Sequence, residues 1–80
     1  MTLSKAFAER TMELLIQHKM SKYRLERESG LTHSAIIQIF NGSNKDVKLS
    51  TVKKVARAFK MTLGDFMSVP VFDRDDLEFE

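Results

Sequence analysis

The chain has no cysteine and no tryptophan, and only one proline and three glycines among its 80 residues. Without cysteine it forms neither disulfides nor thiolate metal sites, which fits the reducing cytoplasm. Its purely aliphatic runs, such as Leu14-Leu15-Ile16, are far too short for a membrane span or a signal-peptide core. We therefore expect one small soluble cytoplasmic domain, built from helices with short connections, without a metal or other cofactor.

Charge is divided unevenly along the chain. Residues 1–60 hold twelve Lys or Arg against five Asp or Glu, a net charge of +7, whereas residues 61–80 hold one against six, a net charge of −5. A basic body suits a polyanionic partner, of which nucleic acid is the first candidate. The alternative is that a small soluble protein is modestly basic without any such partner.

Apolar spacing and helix-start residues predict five helices and an all-α fold. The predicted ranges are 3–18, 21–29, 32–40, 50–60 and a short helix from 62, with caps at Ser21, Thr32, Ser50 and Thr62. In the first helix, Thr11 and His18 share the stripe of Leu3 and Phe7, while Arg10 is expected to face water. Pro70 is expected to end regular structure, so residues 1–69 form the domain and residues 70–80 a tail.

The stretch 21–42 is read as two short helices with a corner at Gly30, a residue suited to the left-handed conformation that closes a helix. Helical spacing puts Ile36, Ile39 and Phe40 on one face of the second helix. The opposite face carries five side chains, namely His33, Ser34, Ile37, Gln38 and, at its end, Asn41. Such a mixed face suits the base edges of a DNA major groove. The alternative is a merely solvated face.

The polar stretch 41–46 interrupts the helical pattern and contains Gly42, flanked by Lys45 and Lys48. We favour a phosphate-contacting loop over an ordinary polar connection. On the fourth helix, four cations are expected to face outward, where they either widen the basic surface or are simply solvated: Lys53, Lys54, Arg57 and Lys60.

The last ten residues, VFDRDDLEFE, interleave acidic residues with large apolar ones. Such a terminus is either a frayed acidic tail, a dimer contact, a segment that docks on the chain's own core, or a segment that binds a protein partner. Composition does not rank these four possibilities.

The motifs in order resemble those of the lambda-repressor-like, Cro/C1-type helix-turn-helix regulators of bacteria and phages. The resemblance covers about residues 5–68. It is carried by MSKYRL at 20–25, SGLTxSxI at 29–36, NG at 41–42, LSTVxKVARAF at 49–59 and MTLGDFM at 61–67. The family's signature positions fall on Lys22, Gly30 and Ile36. The resemblance implies a compact five-helix domain followed here by a short acidic tail.

The resemblance also implies roles for single residues. His33, Ser34 and Gln38 take the positions that usually meet base edges, with Ile37 available to a thymine methyl group. Gln38 would pair in bidentate fashion with adenine. The phosphate contacts fall on six residues: Lys22, Thr32, Asn41, Gly42, Ser43 and Lys45.

Two positions depart from the family pattern. Glu26 stands where alanine is usual between the two helices, so its carboxylate must reach solvent or a cation such as Lys22 or Arg24, or the helix pair is splayed, or Glu26 belongs to a partner contact. Phe40 stands where a polar residue is common, and it either completes the core or extends an interface.

By this resemblance the chain is expected to be a transcriptional repressor of its own operator, a nucleoid-associated homodimer on palindromic double-stranded DNA. The alternative is a protein-interaction module, such as an antitoxin or anti-repressor, that uses the acidic tail. An enzyme fits least, because the only histidines, His18 and His33, lie on different predicted helices and show no HExxH-type metal spacing.

Overall fold

The computed structural model describes residues 1–42 and 46–74, which form five α-helices and one 3₁₀ turn. In chain order they are α1 (Leu3–Gln17), α2 (Lys22–Ser29), α3 (His33–Asn41), α4 (Leu49–Ala58), α5 (Leu63–Met67) and the 3₁₀ turn Pro70–Asp73. The predicted all-α architecture of five helices is therefore confirmed. Three predicted features lie outside the described residues: the contacts of Ser43 and Lys45, and the last six residues of the acidic tail.

Four of the five α-helices begin at a side-chain cap. The hydroxyl groups of Thr2, Ser21, Thr32 and Thr62 accept hydrogen bonds from the backbone N–H three residues on, at oxygen–nitrogen distances of 3.2, 3.0, 3.1 and 3.0 Å. Each cap satisfies one of the backbone donors that a helix start leaves without an intrahelical partner. These local hydrogen bonds explain why the helix starts were readable from the sequence at Ser21, Thr32 and Thr62.

The start of α4 was predicted wrongly. The helix follows Lys48, whose side chain makes no cap hydrogen bond, and Ser50 lies inside its first turn. No local cap marks this start, and the helix is held instead by Val52, Val55 and Ala56, which pack into the hydrophobic core. A buried stripe fixes which face of a helix turns inward but not the residue at which the helix begins.

Gly30 closes α2 in the left-handed conformation, with φ of 75°, as the sequence predicted. Its backbone N–H donates to the Glu26 carbonyl at 3.2 Å, and the chain then turns directly into the cap of α3. Ser29 supports the corner, since its buried hydroxyl accepts a hydrogen bond from the Leu31 N–H at 3.2 Å. The angle between α2 and α3 is therefore held by backbone geometry as well as by packing.

Gly30→Ala is expected to lower the free energy of unfolding by about 1 kcal/mol, because an L side chain is strained in this conformation. Apart from Gly30 itself and its two chain neighbours, nothing lies within 4 Å of the added Cβ, so the effect reports backbone strain rather than a clash. Gly64→Ala is the matched control: Gly64 lies inside α5 with ordinary space around a new Cβ, so stability should rise slightly. Urea unfolding followed by circular dichroism measures both changes, and equal shifts for the two variants would contradict the strain argument.

The core forms where the inward faces of the helices meet. Its largest fully buried side chains include Phe66, Leu14, Leu25, Ile39 and Val55. α3 packs on both α1 and α2, and α4 packs on α2 and α5. These contacts present α3 at the surface with one face buried and the other face open to solvent.

Arg10 does not face water as predicted. Its side chain is only 8% exposed, because it extends from α1 onto the end of α5. Its Nε donates to the Phe66 carbonyl at 2.8 Å, and its Nη2 donates to the Asp65 carbonyl at 3.2 Å. The same guanidinium pairs with Glu13 through Nη1 at 2.6 Å. A helix of five residues leaves its last carbonyls without intrahelical partners, and Arg10 supplies donors to two of them.

The tail begins as an ordered part of the fold. Pro70 does not end regular structure as predicted, because the 3₁₀ turn begins at this residue. Phe72 packs on the core, with its ring centroid 6.2 Å from that of Phe66, and Phe66 meets Phe7 edge to face at 5.8 Å. Of the four possibilities for the tail, docking on the chain's own core applies to its first residues.

Candidate nucleic-acid interface

The outward face of α3 carries the four side chains assigned to base contacts. His33, Ser34, Ile37 and Gln38 are all exposed, whereas Ile36 and Ile39 on the opposite face are buried. Ile37 is 45% exposed, so an apolar side chain stands among the polar ones on this face. The structure thus brings a hydroxyl, an amide, an imidazole and one apolar group onto a single open helical surface.

Glu26 finds its partner across the corner rather than on its own helix. Its Oε1 lies 2.7 Å from Nδ1 of His33. The sequence suggested Lys22 or Arg24 as the partner, and neither of them pairs with this carboxylate. Arg24 instead pairs with Glu28, at 3.1 Å between Nε and Oε1. The carboxylate of Glu26 is therefore one of the groups that line the open face of the α2–α3 pair.

Phe40 completes the core, since it is partly buried and packs against the core residues. The Lys22 ammonium lies 4.5 Å from the centroid of its ring, a distance at which a cation is attracted to the ring face. Together with Glu26 and His33, these two residues border a shallow groove between α2 and α3. Lys22 is thereby held beside the last turn of α3 while its side chain stays exposed.

The other residues assigned to phosphate contacts lie at the two ends of α3. Thr32 is exposed at the N-terminal end, where its hydroxyl already accepts a hydrogen bond from the Ala35 N–H. Asn41 and Gly42 lie at the C-terminal end, and Gly42 is left-handed with φ of 62°. Backbone groups at both ends are thus brought to the edges of the same open surface.

Two cations near α3 were not among the residues that the sequence analysis assigned to DNA contacts. Lys5, from α1, passes so close to Gly42 that a Cβ at that glycine would lie 3.2 Å from the Lys5 Cγ. Lys48 borders a surface depression that it shares with Gln38. No sequence signal pointed to Lys5, because 37 residues separate it from Gly42; Lys48 was noted only as a flank of the loop. The four cations predicted to face outward from the fourth helix are exposed: Lys53, Lys54, Arg57 and Lys60.

Among residues 1–42 and 46–74, no group of three or more His, Asp or Glu is placed to hold a metal ion. Within the same residues, none of the helices has the length and apolar character needed to cross a membrane. The features that the described structure concentrates on one surface are hydrogen-bonding side chains and cations around α3.

Similarity to known proteins extends over most of the chain. The model of the Cro/C1-type HTH DNA-binding domain matches residues 12–71. The crystal structure of the prophage Lp1 protein 11 superposes on this chain with a TM-score of 0.79 and 25% sequence identity, over 89% of this chain and 93% of that one. None of the curated proteins matches this chain.

Proposed function

Because this chain belongs to the Cro/C1-type helix-turn-helix DNA-binding family, we propose that it regulates transcription by reading duplex DNA with α3, and that it acts as a repressor. The observation that carries the proposal is the open face of α3, where His33, Ser34, Ile37 and Gln38 project from a helix fixed by the core. A helix of this length fits the major groove, where each base pair presents a distinct pattern of donors and acceptors. Repression follows from occupancy of an operator alone.

Base reading is assigned by chemistry. The Gln38 amide both donates and accepts, which matches the N6 and N7 atoms of adenine, and Ile37 offers an apolar contact to a thymine methyl group. Ser34 is able to donate to or accept from any base edge that it reaches. His33 is the fourth reading group, and its Nδ1 lies 2.7 Å from Oε1 of Glu26.

Phosphate contacts position α3 rather than specify the sequence. Thr32 is proposed at the N-terminal end of α3, and Asn41 and Gly42 at its C-terminal end, where the Lys22 ammonium stacks on Phe40. Ser43 and Lys45 are retained from the sequence alone. The placement of Lys5 beside Gly42 adds a cation at the second end. The ammonium of Lys22, stacked on Phe40, keeps donors free for a phosphate oxygen.

A homodimer is proposed because one short helix meets few base pairs, and a second copy doubles the number of bases read. The test is selection of bound sequences from a random duplex pool. A palindromic consensus with half-sites about one helical turn apart supports α3 reading by a symmetric dimer. A pool that shows no enrichment after repeated selection overturns the proposal.

Salt dependence provides a quantitative check. If a dimer neutralises about six phosphates, affinity should fall roughly a thousandfold between about 50 and 200 mM salt, because counterions are released on binding. Lys22→Gln should lower the slope of log affinity against log salt by about one for each phosphate that the ammonium neutralises. Lys60→Asn is the control. Lys60 lies after the C-terminal end of α4, at the opposite end of that helix from Lys48, which borders a surface depression with Gln38 of α3. An equal decrease of slope in both variants would argue against a defined phosphate contact at Lys22.

A protein partner is the second candidate function. It is favoured by the exposed apolar side chains Leu3, Leu49 and Met67, which border a surface groove where the acidic tail begins. A partner bound there would leave the open face of α3 unused. Variants of the α3 face therefore separate the two functions, since they should affect DNA binding and spare partner binding.

A further inference from the structure

The contact between Glu26 and His33 joins the two helices on the side of the proposed DNA surface. The two side chains are seven residues apart, and the atoms Oε1 and Nδ1 are separated by 2.7 Å. Glu26 is 25% exposed and His33 is 76% exposed, so the carboxylate lies inside the corner and the imidazole projects from it. An ionised carboxylate only accepts hydrogen bonds, and this contact therefore places a proton on Nδ1.

With Nδ1 turned to Glu26, Nε2 is the ring nitrogen left for a ligand. In a neutral imidazole whose proton is on Nδ1, Nε2 is an acceptor and has no proton to donate. The major-groove donors are the exocyclic amines, N4 of cytosine and N6 of adenine. Guanine presents only acceptors, at N7 and O6, and the hydrogen-bonding group of thymine is the O4 acceptor.

We infer that Glu26 is a specificity-determining positioning residue, which fixes the tautomer and orientation of His33 so that Nε2 selects a base bearing an exocyclic amine. The inference rests on the proposed function, because it requires α3 to meet base edges. His33 is the only hydrogen-bond partner that the structure gives the Glu26 carboxylate within the described residues. The acidic residue in a basic surface thus acts through the imidazole and contacts no base itself.

Removal of the carboxylate should have two effects of opposite sign. Glu26→Gln leaves a side chain of the same shape whose amide either accepts from Nδ1 or donates to it, so both tautomers become available and His33 also accepts guanine. Discrimination at that base pair should fall about tenfold, equivalent to about 1.4 kcal/mol. Affinity for non-specific duplex should rise, because one negative charge is removed beside the phosphates. A general loss of structure would instead lower both the discrimination at that base pair and the affinity for non-specific duplex.

The binding experiment measures affinity for duplexes that carry each of the four base pairs at the position read by His33. That position is identified as the one where His33→Ala removes the preference. Glu28→Gln is the matched control, because it removes the same charge from an exposed carboxylate of α2 that pairs with Arg24. Glu26→Gln made in the His33→Ala background should cause no further loss of preference, which shows that Glu26 acts through the imidazole.

A spectroscopic measurement on the free protein tests the contact separately from DNA. The ¹⁵N chemical shifts of the His33 ring, recorded with the imidazole neutral, should show the proton on Nδ1 in the natural chain and a mixture in Glu26→Gln and Glu26→Ala. A proton on Nε2 in the natural chain overturns the inference even if a variant fails to fold.

The outcomes separate the inference from the proposed function. Sequence-specific binding with an unchanged base preference in Glu26→Gln overturns the role of Glu26 and leaves the proposed function standing. No sequence preference in the natural chain overturns the proposed function, and the inference with it. Loss of preference in Glu26→Gln but not in Glu28→Gln, together with the tautomer change, supports the inference.

Discussion

Replacing His33, Ser34 and Gln38 together by alanine is expected to abolish sequence-specific DNA binding and to leave the helical fold intact. Each good base contact contributes about 1–3 kcal/mol of discrimination, so removal of all three should lower specific affinity roughly a thousandfold or more. The three side chains are exposed, and their removal opens no cavity in the core. Salt-dependent binding to any duplex should remain, because the cations around α3 are unchanged.

The measurement is fluorescence anisotropy with the selected operator and with a scrambled duplex, and circular dichroism reports the fold. A matched control replaces the same kinds of side chain at exposed positions outside α3, with Gln17, His18 and Ser68 changed together to alanine. The control should keep its preference for the operator. Specific binding that survives in the α3 variant would place recognition elsewhere on the chain.

Arg10→Met is expected to lower the free energy of unfolding by about 3 kcal/mol, which is a large fraction of the stability of so small a domain. Methionine keeps much of the apolar stem but removes the donors to the Phe66 and Asp65 carbonyls. Buried carbonyls left without a donor cost about 1–3 kcal/mol each. The attraction between the guanidinium and the Phe66 ring, 5.6 Å from the charge to the ring centroid, is removed as well.

Thermal unfolding followed by circular dichroism should show a decrease of roughly 12 °C or more in Tm, at about 4–8 °C per kcal/mol for a domain of this size. Glu13→Gln is the first control: it removes the ion pair but keeps both carbonyl contacts, and Glu13 is 53% exposed, so the change should be small. Arg24→Met, at an exposed arginine of α2, is the second control. A Tm for Arg10→Met equal to those of the controls would contradict the role given to the buried guanidinium.

Much of the fold was readable from the sequence because its signals are local. A cap at Ser21, Thr32 or Thr62 joins a side chain to a backbone N–H three residues away, and the left-handed Gly30 closes a helix that ends one residue before it. The open face of α3 follows from helical periodicity, since burial of Ile36 and Ile39 turns the side chains between them outward. Where the local signal was absent, as at the start of α4, the prediction was wrong.

The five helices and the open face of α3 were determined by the sequence itself, because a cap or a helical repeat acts within one or two turns of the chain. Only the tertiary structure decided which charged residues meet groups far from them in the sequence or on another helix. Arg10 meets a carbonyl 56 residues away, Glu26 pairs across a corner with His33, and Lys5 reaches the end of α3. The physical reason is that a charge lowers its energy with whichever donor or acceptor the folded chain brings near it, and sequence separation does not enter that energy.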